Sequence, residues 1–255
     1  EAIERLDKNR YAWRGDGIEF DLLRRLGQLQ LAAGDYRAGF ATMKQAMTWF
    51  PKSPDRPAVA HEMTEAFAKL FLSGETDKAP PLTALALHQE FKELTPVGPR
   101  GDEIIRRLAD RLAAVDLLDR AGALLEHQVN FRLHGEEKAR VAARLAVIQL
   151  LDRKPAEALK TLQSSAMAGL PQALATERKY LEARAQSDLN KFDAALALLN
   201  NEPGRDAESL RVDILWRAKE WQKTAAGLDR LLADRARDQK PLASPERRQV
   251  LQQAL

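Results

Sequence analysis

The side chains able to do chemistry are few and scattered along this sequence. The histidines are His61, His88, His127 and His134, and the last two stand seven residues apart near Glu126, Glu136 and Glu137. That spacing puts them on one helix face, where they could hold a divalent ion or form a pH-sensitive patch. No HExxH or comparable ligand spacing accompanies them, so solvated histidines on helix surfaces are the expectation. Asp110, Asp116 and Asp119 are the carboxylates closest to an acid–base pair, but Arg106, Arg107, Arg111 and Arg120 run between them at the i+3 and i+4 spacing of surface ion pairs. The serines offer no GxSxG elbow, and Gly15-Asp16-Gly17 is too short a glycine loop to cradle phosphate and follows no strand. With no cysteine, thiol nucleophiles, cysteine metal sites and disulfides are excluded. The expectation is a chain without catalytic residues, metal or cofactor.

The elements that would position any functional residue are helices. In 255 residues, 45% are hydrophobic and 30% charged, which suffices for a large interior, and no apolar run reaches the length of a membrane span. Ala, Leu, Arg, Glu and Gln dominate over 13 glycines and 12 prolines, a composition of helix formers. Leu23 to Pro51 shows the organising unit. Leu23, Leu26, Leu29 and Leu31 fall at helical spacing, Gly34-Asp35-Tyr36 interrupts, and Gly39, Met43 and Ala46 resume the period until Pro51. Gly34 can end the first helix in the left-handed conformation, Asp35 can cap the second, and Gly27, Gly39 and Ala46 allow close approach.

This stretch resembles the tetratricopeptide repeat: Leu23, Leu26, Gly27, Gly39, Met43, Ala46 and Pro51 match its preferred residue types, and Gln30, where an aromatic is usual, departs. The segments 106–129 and 144–162 look like those of long bacterial proteins of this superfamily. The resemblance implies an all-α solenoid of antiparallel helix pairs, a right-handed superhelix of about six pairs. Further pairs are expected at 57–72 with 80–94, 102–115 with 117–133, 136–151 with 155–167, 172–189 with 191–200 and 205–218 with 220–235. Ala121, Ala158 and Ala195, the small residues of successive second helices, are 37 residues apart each time, and Thr224 follows 29 later. The turns Arg153-Lys154-Pro155, Asn190-Lys191-Phe192 and Lys219-Glu220-Trp221 occupy the place of Gly34-Asp35-Tyr36.

The organisation expected is a leading helix and connector at 1–19, left over from a preceding repeat, and a sub-array at 20–94. A Pro/Gly bend at 95–101 would follow, then a second sub-array at 102–236 and the start of a further repeat at 237–255. In that last segment Ser244 can cap a helix, and Val250, Leu251 and Leu255 begin an apolar stripe. Both ends read as cut from a longer bacterial protein.

The resemblance also implies a groove lined by the first helix of each pair. In its frame Arg24, Gln28, Arg106, Asp110, Arg140, Ala143, Val147, Tyr180, Arg184, Asp213, Trp216 and Arg217 project there. The five arginines could fork the carboxylates of an acidic peptide, unless Asp110 and Asp213 neutralise them. The superfamily's clamp for a chaperone's terminal carboxylate wants an asparagine where Gln28, Asp110, Val147, Arg184 and Asp213 stand, so it is not matched. Trp13, Trp49, Trp216 and Trp221 are too dispersed for a nucleic-acid stacking platform, and Tyr11 and Trp13 beside Arg10 and Arg14 suit an array end. The partner expected is therefore a protein or peptide, acidic in character. Self-assembly through exposed end helices is the alternative, and polyanion binding, supported only by a net charge of +3, comes last. Compartment stays open between bacterial cytoplasm and periplasm, the absent cysteine leaning to the periplasm.

Overall fold

The computed structural model describes residues 2–9, 17–232 and 247. Among them are thirteen α-helices, two 3-10 turns and no strand, as an all-α array requires. Tyr11, Trp13, Ser244, Val250, Leu251 and Leu255 lie outside the described residues. The chain divides into two units, Glu1–Asp116 and Leu117–Leu255.

The first unit contains α1 (Ala2–Asn9), α2 (Gly17–Ala32), α3 (Tyr36–Trp49), α4 (Arg56–Leu72), α5 (Pro81–Glu90) and α6 (Pro99–Ala114). Helices α2 and α3 form the hairpin read from the sequence. Gly34 has φ +86°, and the Asp35 carboxylate accepts from Ala38 N at 3.2 Å. A Cβ at Gly27 would sit 2.4 Å from Met43 Cγ, and one at Gly39 would sit 2.7 Å from Leu31 Cγ, so only glycine permits this separation. Gln30, the residue that departs from the repeat pattern, accepts from Thr42 Oγ1 of the facing helix at 2.8 Å. Polar satisfaction thus replaces an aromatic contact.

Behind this hairpin the interior is aromatic. Phe40 packs on Phe67 at 5.7 Å and on Phe91 at 5.4 Å between ring centroids, and Phe67 packs on Phe71 at 4.7 Å. His88 belongs to this interior. It is only 7% exposed, lies against Phe67 and Phe71, and has Nε2 3.3 Å from Thr95 Oγ1. The expectation of solvated histidines is corrected here, while His61, His127 and His134 are exposed. The helix anticipated at 80–94 stops at Glu90, because the chain leaves helical geometry at Phe91 (φ −122°, ψ 33°) and buries Phe91 and then Leu94 in a short 3-10 turn.

The breaker at 95–101 does not separate the units. Gly98 takes φ +83° and Pro99 starts α6, which packs against α4 and α5 and buries Ile104, Ile105, Leu108 and Leu112. The division falls instead after Asp116. Proline and glycine redirect the backbone, whereas an apolar helix face decides with which neighbours a segment belongs.

The second unit contains α7 (Leu118–Phe131), α8 (Gly135–Leu151), α9 (Pro155–Ser164), α10 (Gln172–Asp188), α11 (Phe192–Leu199), α12 (Arg205–Arg217) and α13 (Trp221–Leu232). Helices α8 and α9, α10 and α11, and α12 and α13 are hairpins, and α8, α10 and α12 pack on one another in a row. Arg153, Asn190 and Lys219 have φ 57°, 59° and 61°, taking the conformation that Gly34 takes in the first unit. After each, a backbone N–H reaches five residues back: Asp35 to Gln30 O, Lys154 to Gln149 O, Lys191 to Gln186 O and Glu220 to Leu215 O, at 2.8–3.0 Å. The carbonyl of the same turn residue then receives the N–H of the buried small residue, Gly39, Ala158, Ala195 or Thr224. The repetition read from spacing is therefore a repetition of backbone hydrogen bonds.

Alanine fills the helix crossings of this unit: Ala146, Ala158 and Ala185 form one cluster with Leu162, and Ala183 and Ala195 form another with Leu199 and Ile214. Arginines tie successive hairpins. Arg178 is 8% exposed and donates to Ala139 O and Leu162 O, each at 2.6 Å, and to Ser165 Oγ at 3.0 Å. Arg211 of α12 donates to Leu199 O at 3.0 Å, the carbonyl that ends α11 as Leu162 does near the end of α9. A cation over a helix C-terminus satisfies orphan carbonyls and meets the negative end of the helix dipole. Burial lowers the pKa of the Arg178 guanidinium, yet three acceptors keep it in place.

Candidate partner-binding clefts

The groove arginines of the sequence reading differ in what they have left to offer. In the first unit Arg24 is engaged by Glu62 of α4, and Gln28 Nε2 donates to the same carboxylate at 3.0 Å. Hydrogen bonding from Arg24 holds the Glu62 carboxyl below the usual carboxylate range. Arg106 pairs with Glu103 on its own helix at 3.1 Å, and Asp110, one turn further, is half-buried. Cross-helix pairs continue over this unit, with Arg100 to Glu65 at 2.8 Å, Arg37 to Glu90 at 2.6 Å and Lys44 to Glu93 at 2.5 Å.

In the second unit Arg140 pairs with Glu136 and Glu137 along its helix. Ala143 is buried between α8 and α10 beside Ala139 and Leu174, so it is part of the interior and not of an open surface. Val147 is 36% exposed. The Tyr180 ring packs against the Ala183, Ala195, Leu199 and Ile214 cluster, which likewise takes it out of an open groove.

Arg184, Asp213, Trp216 and Arg217 do converge. Together with Ser187, Asp188, Leu210 and Ile214 they line a cleft of about 290 Å³ between α10 and α12. The heptad-like spacing of 213, 216 and 217 puts them on one face of α12, and the α10–α12 contact brings that face to Arg184. Arg217 is held by Asp188 and touches Ser187 Oγ at 3.4 Å. Trp216 meets Trp221 edge to face at 5.3 Å, so its indole is fixed by a second ring. Arg184 is exposed and has no ion-pair partner among the described residues. An unspent guanidinium beside a fixed indole can receive a carboxylate and pack the apolar part that carries it.

A second cleft, of about 220 Å³, opens between α7, α8 and the start of α9. Lys154 spans it, donating to Asp119 at 2.5 Å and lying 2.6 Å from Asp152. These bonds raise the Lys154 pKa and hold the Asp119 carboxyl below its usual range. Asp119 is thus a lysine ligand and Asp116 the left-handed residue of a turn, φ 62°, which gives each a structural use unlike acid–base chemistry. Among the described residues no group of three or more His, Asp or Glu side chains gathers in a way that could hold a metal. No described helix is long and apolar enough to cross a membrane.

Sequence reasoning missed Glu62, Gln149, Arg178 and the Lys154 bridge. Arg178 left one trace: it falls on the buried stripe of α10 between Leu174 and Ala185, where a charged residue needs polar acceptors.

These features define an all-α protein built of successive antiparallel helix pairs. No family model matches the sequence, and no curated protein matches it either. Among solved structures, one from the functional characterization of PilF of Pseudomonas aeruginosa is similar at 16% identity, with a TM-score of 0.44, over 87% of this chain and 93% of that one. The functional reading rests on this chain's own residues.

Proposed function

We propose that this chain is an interaction module which holds an acidic segment of a partner protein in the α10–α12 cleft. The observation that carries the reading is the unpaired Arg184 beside Trp216, in a unit whose other groove-frame arginines are engaged by carboxylates of the same chain. Arg184 would fork the partner's carboxylate, Trp216 and Leu210 would take the adjacent apolar side chain, and Asp213 would set the register by repelling a second acid. Its chemistry is recognition without bond-making.

The test is binding of labelled acidic, neutral and basic peptides of one length, followed by anisotropy. Acidic peptides should bind, and Arg184→Glu should weaken them by at least about tenfold. Arg24→Glu should leave affinity unchanged, because Arg24 is already committed to Glu62. Equal binding by wild type and Arg184→Glu would sink the proposal. The apolar stripe that motivated self-assembly lies outside the described residues, and no observation favours that reading here.

A further inference from the structure

Gln30 and Thr42 are bonded across the first hairpin, and the same twelve-residue spacing separates Gln149 from Thr161 across α8 and α9. Thr161 therefore stands where a hydroxyl could satisfy Gln149. The bond is not made: Gln149 is 8% exposed, its Oε1 has no hydrogen-bond partner among the described residues, and its side chain lines the α7–α8–α9 cleft. A buried amide oxygen without a donor is costly, and one whose side chain lines a cleft calls for a donor from outside.

The rest of the lining says what that donor carries. Asp119, Glu126, Asp152 and Glu157 face a single cation, Lys154, which is already shared by Asp119 and Asp152. Glu126 and Glu157 have no ion-pair partner among the described residues. Leu118, Leu145 and Ile148 supply apolar wall. A bare metal ion is a poor match for this much volume and for carboxylates that do not cluster. A guanidinium on an aliphatic stem matches each part: its planar fork can donate to a carbonyl and to carboxylates at once, and its methylenes can lie along the leucine and isoleucine side chains.

We propose that the cleft between α7, α8 and α9 binds an arginine side chain presented by a basic segment of a partner protein, with Gln149 Oε1 and the Glu126 and Glu157 carboxylates as acceptors. This site shares no lining residue with the α10–α12 cleft. Its existence does not depend on what that cleft binds.

The experiment titrates the full chain with a short arginine-containing peptide and with the same peptide carrying lysine, at low and moderate salt, following backbone amides by NMR. The expected result is saturable binding of the arginine peptide, with shifts confined to α7, α8 and the start of α9. The lysine peptide should bind about fivefold or more weakly, since it lacks the fork. Gln149→Leu and the double variant Glu126→Gln/Glu157→Gln should each weaken the arginine peptide by about tenfold. Gly122→Leu offers an uncharged block: a Cβ there meets Ile148 and Leu145 only at 3.9 Å, so the helix accepts it while the side chain fills the cleft. This variant should abolish the shifts with the circular dichroism unchanged. Salt-suppressed association that is equal for both peptides and indifferent to Gln149→Leu and Gly122→Leu would overturn the proposal, as would shifts mapped to another face.

Discussion

The two units achieve the same helix-pair architecture with different materials. The first packs phenylalanines behind a glycine-spaced hairpin and uses its charges on itself, helix to helix. The second packs alanines at its crossings, ties its hairpins with arginines aimed at carbonyls, and keeps Arg184, Glu126 and Glu157 unpaired among the described residues. Large rings fill space generously and can leave charges at the surface to be matched between neighbouring helices. Small residues demand close approach, which fixes the backbone and leaves polar side chains on the rims of clefts. The difference teaches where to look for recognition: in the unit whose unpaired charges line clefts.

The comparison can be broken most severely at the aromatic interior. Phe67→Ala should cost about 3–5 kcal/mol, because a ring in contact with Phe40, Phe71 and His88 leaves a cavity that stiff neighbours cannot close. Native-state hydrogen exchange should show lost protection in α2–α6 and little change in α8–α13. Uniform loss across both would mean that the units are not separately stabilised. The corresponding wound in the second unit is Arg178→Met, which removes a buried donor from the carbonyls of Ala139 and Leu162 and should cost about 2–4 kcal/mol, visible as a lower urea midpoint. Arg178→Lys should recover only part, since one ammonium cannot reproduce the fork that reaches both helices of the preceding hairpin.

Smaller changes sharpen the contrast. Lys219→Gly should stabilise by about 0.5–1 kcal/mol, because it removes left-handed strain at φ 61° at the expense of a freer unfolded chain. The same gain is not open at Gly34, which already has that residue. Glu62→Gln should cost less than about 1 kcal/mol at neutral pH, the pair being partly exposed. Its sign with pH follows from the lowered Glu62 pKa: the wild-type advantage is present above the ordinary carboxylate range and is lost as pH falls through the depressed folded value. Denaturation curves of both proteins should therefore converge in acid. A gap that widens there would contradict the pairing.

Much of the fold was legible in the residues. Gly27 and Gly39 mark a close crossing, Pro155 and the 37-residue spacing of Ala158 and Ala195 mark equivalent turns, and all of these are local facts. Less legible was anything that depends on the offset between helices. Which acid meets Arg24, whether Tyr180 faces out or in, and that Arg178 is buried are set by how far one helix slides along another, and a single helix does not encode that distance. His88 misled because its helix is short and its neighbours in sequence are no guide to the rings that enclose it. The bend assigned to 95–101 misled for the opposite reason: its prolines and glycines are conspicuous, while the division after Asp116 is made by a turn that carries only one unusual φ. Four of the candidate groove residues did come to one cleft, because Asp213, Trp216 and Arg217 share a helix face and α10 lies beside it.

The turns at Arg153 and Asn190 carry a consequence for how such a chain can change its length. Each is left-handed at the same place and is followed by the same backbone hydrogen bonds. Joining Arg153 directly to Lys191 would excise 37 residues and still present a left-handed residue, a capping residue and the start of a helix in the right order. Ala195 would arrive where Ala158 had been, and α8 would find α11 as its partner. These turns are interchangeable splice points, at which whole hairpins can be lost or duplicated in one step without a new junction having to be invented.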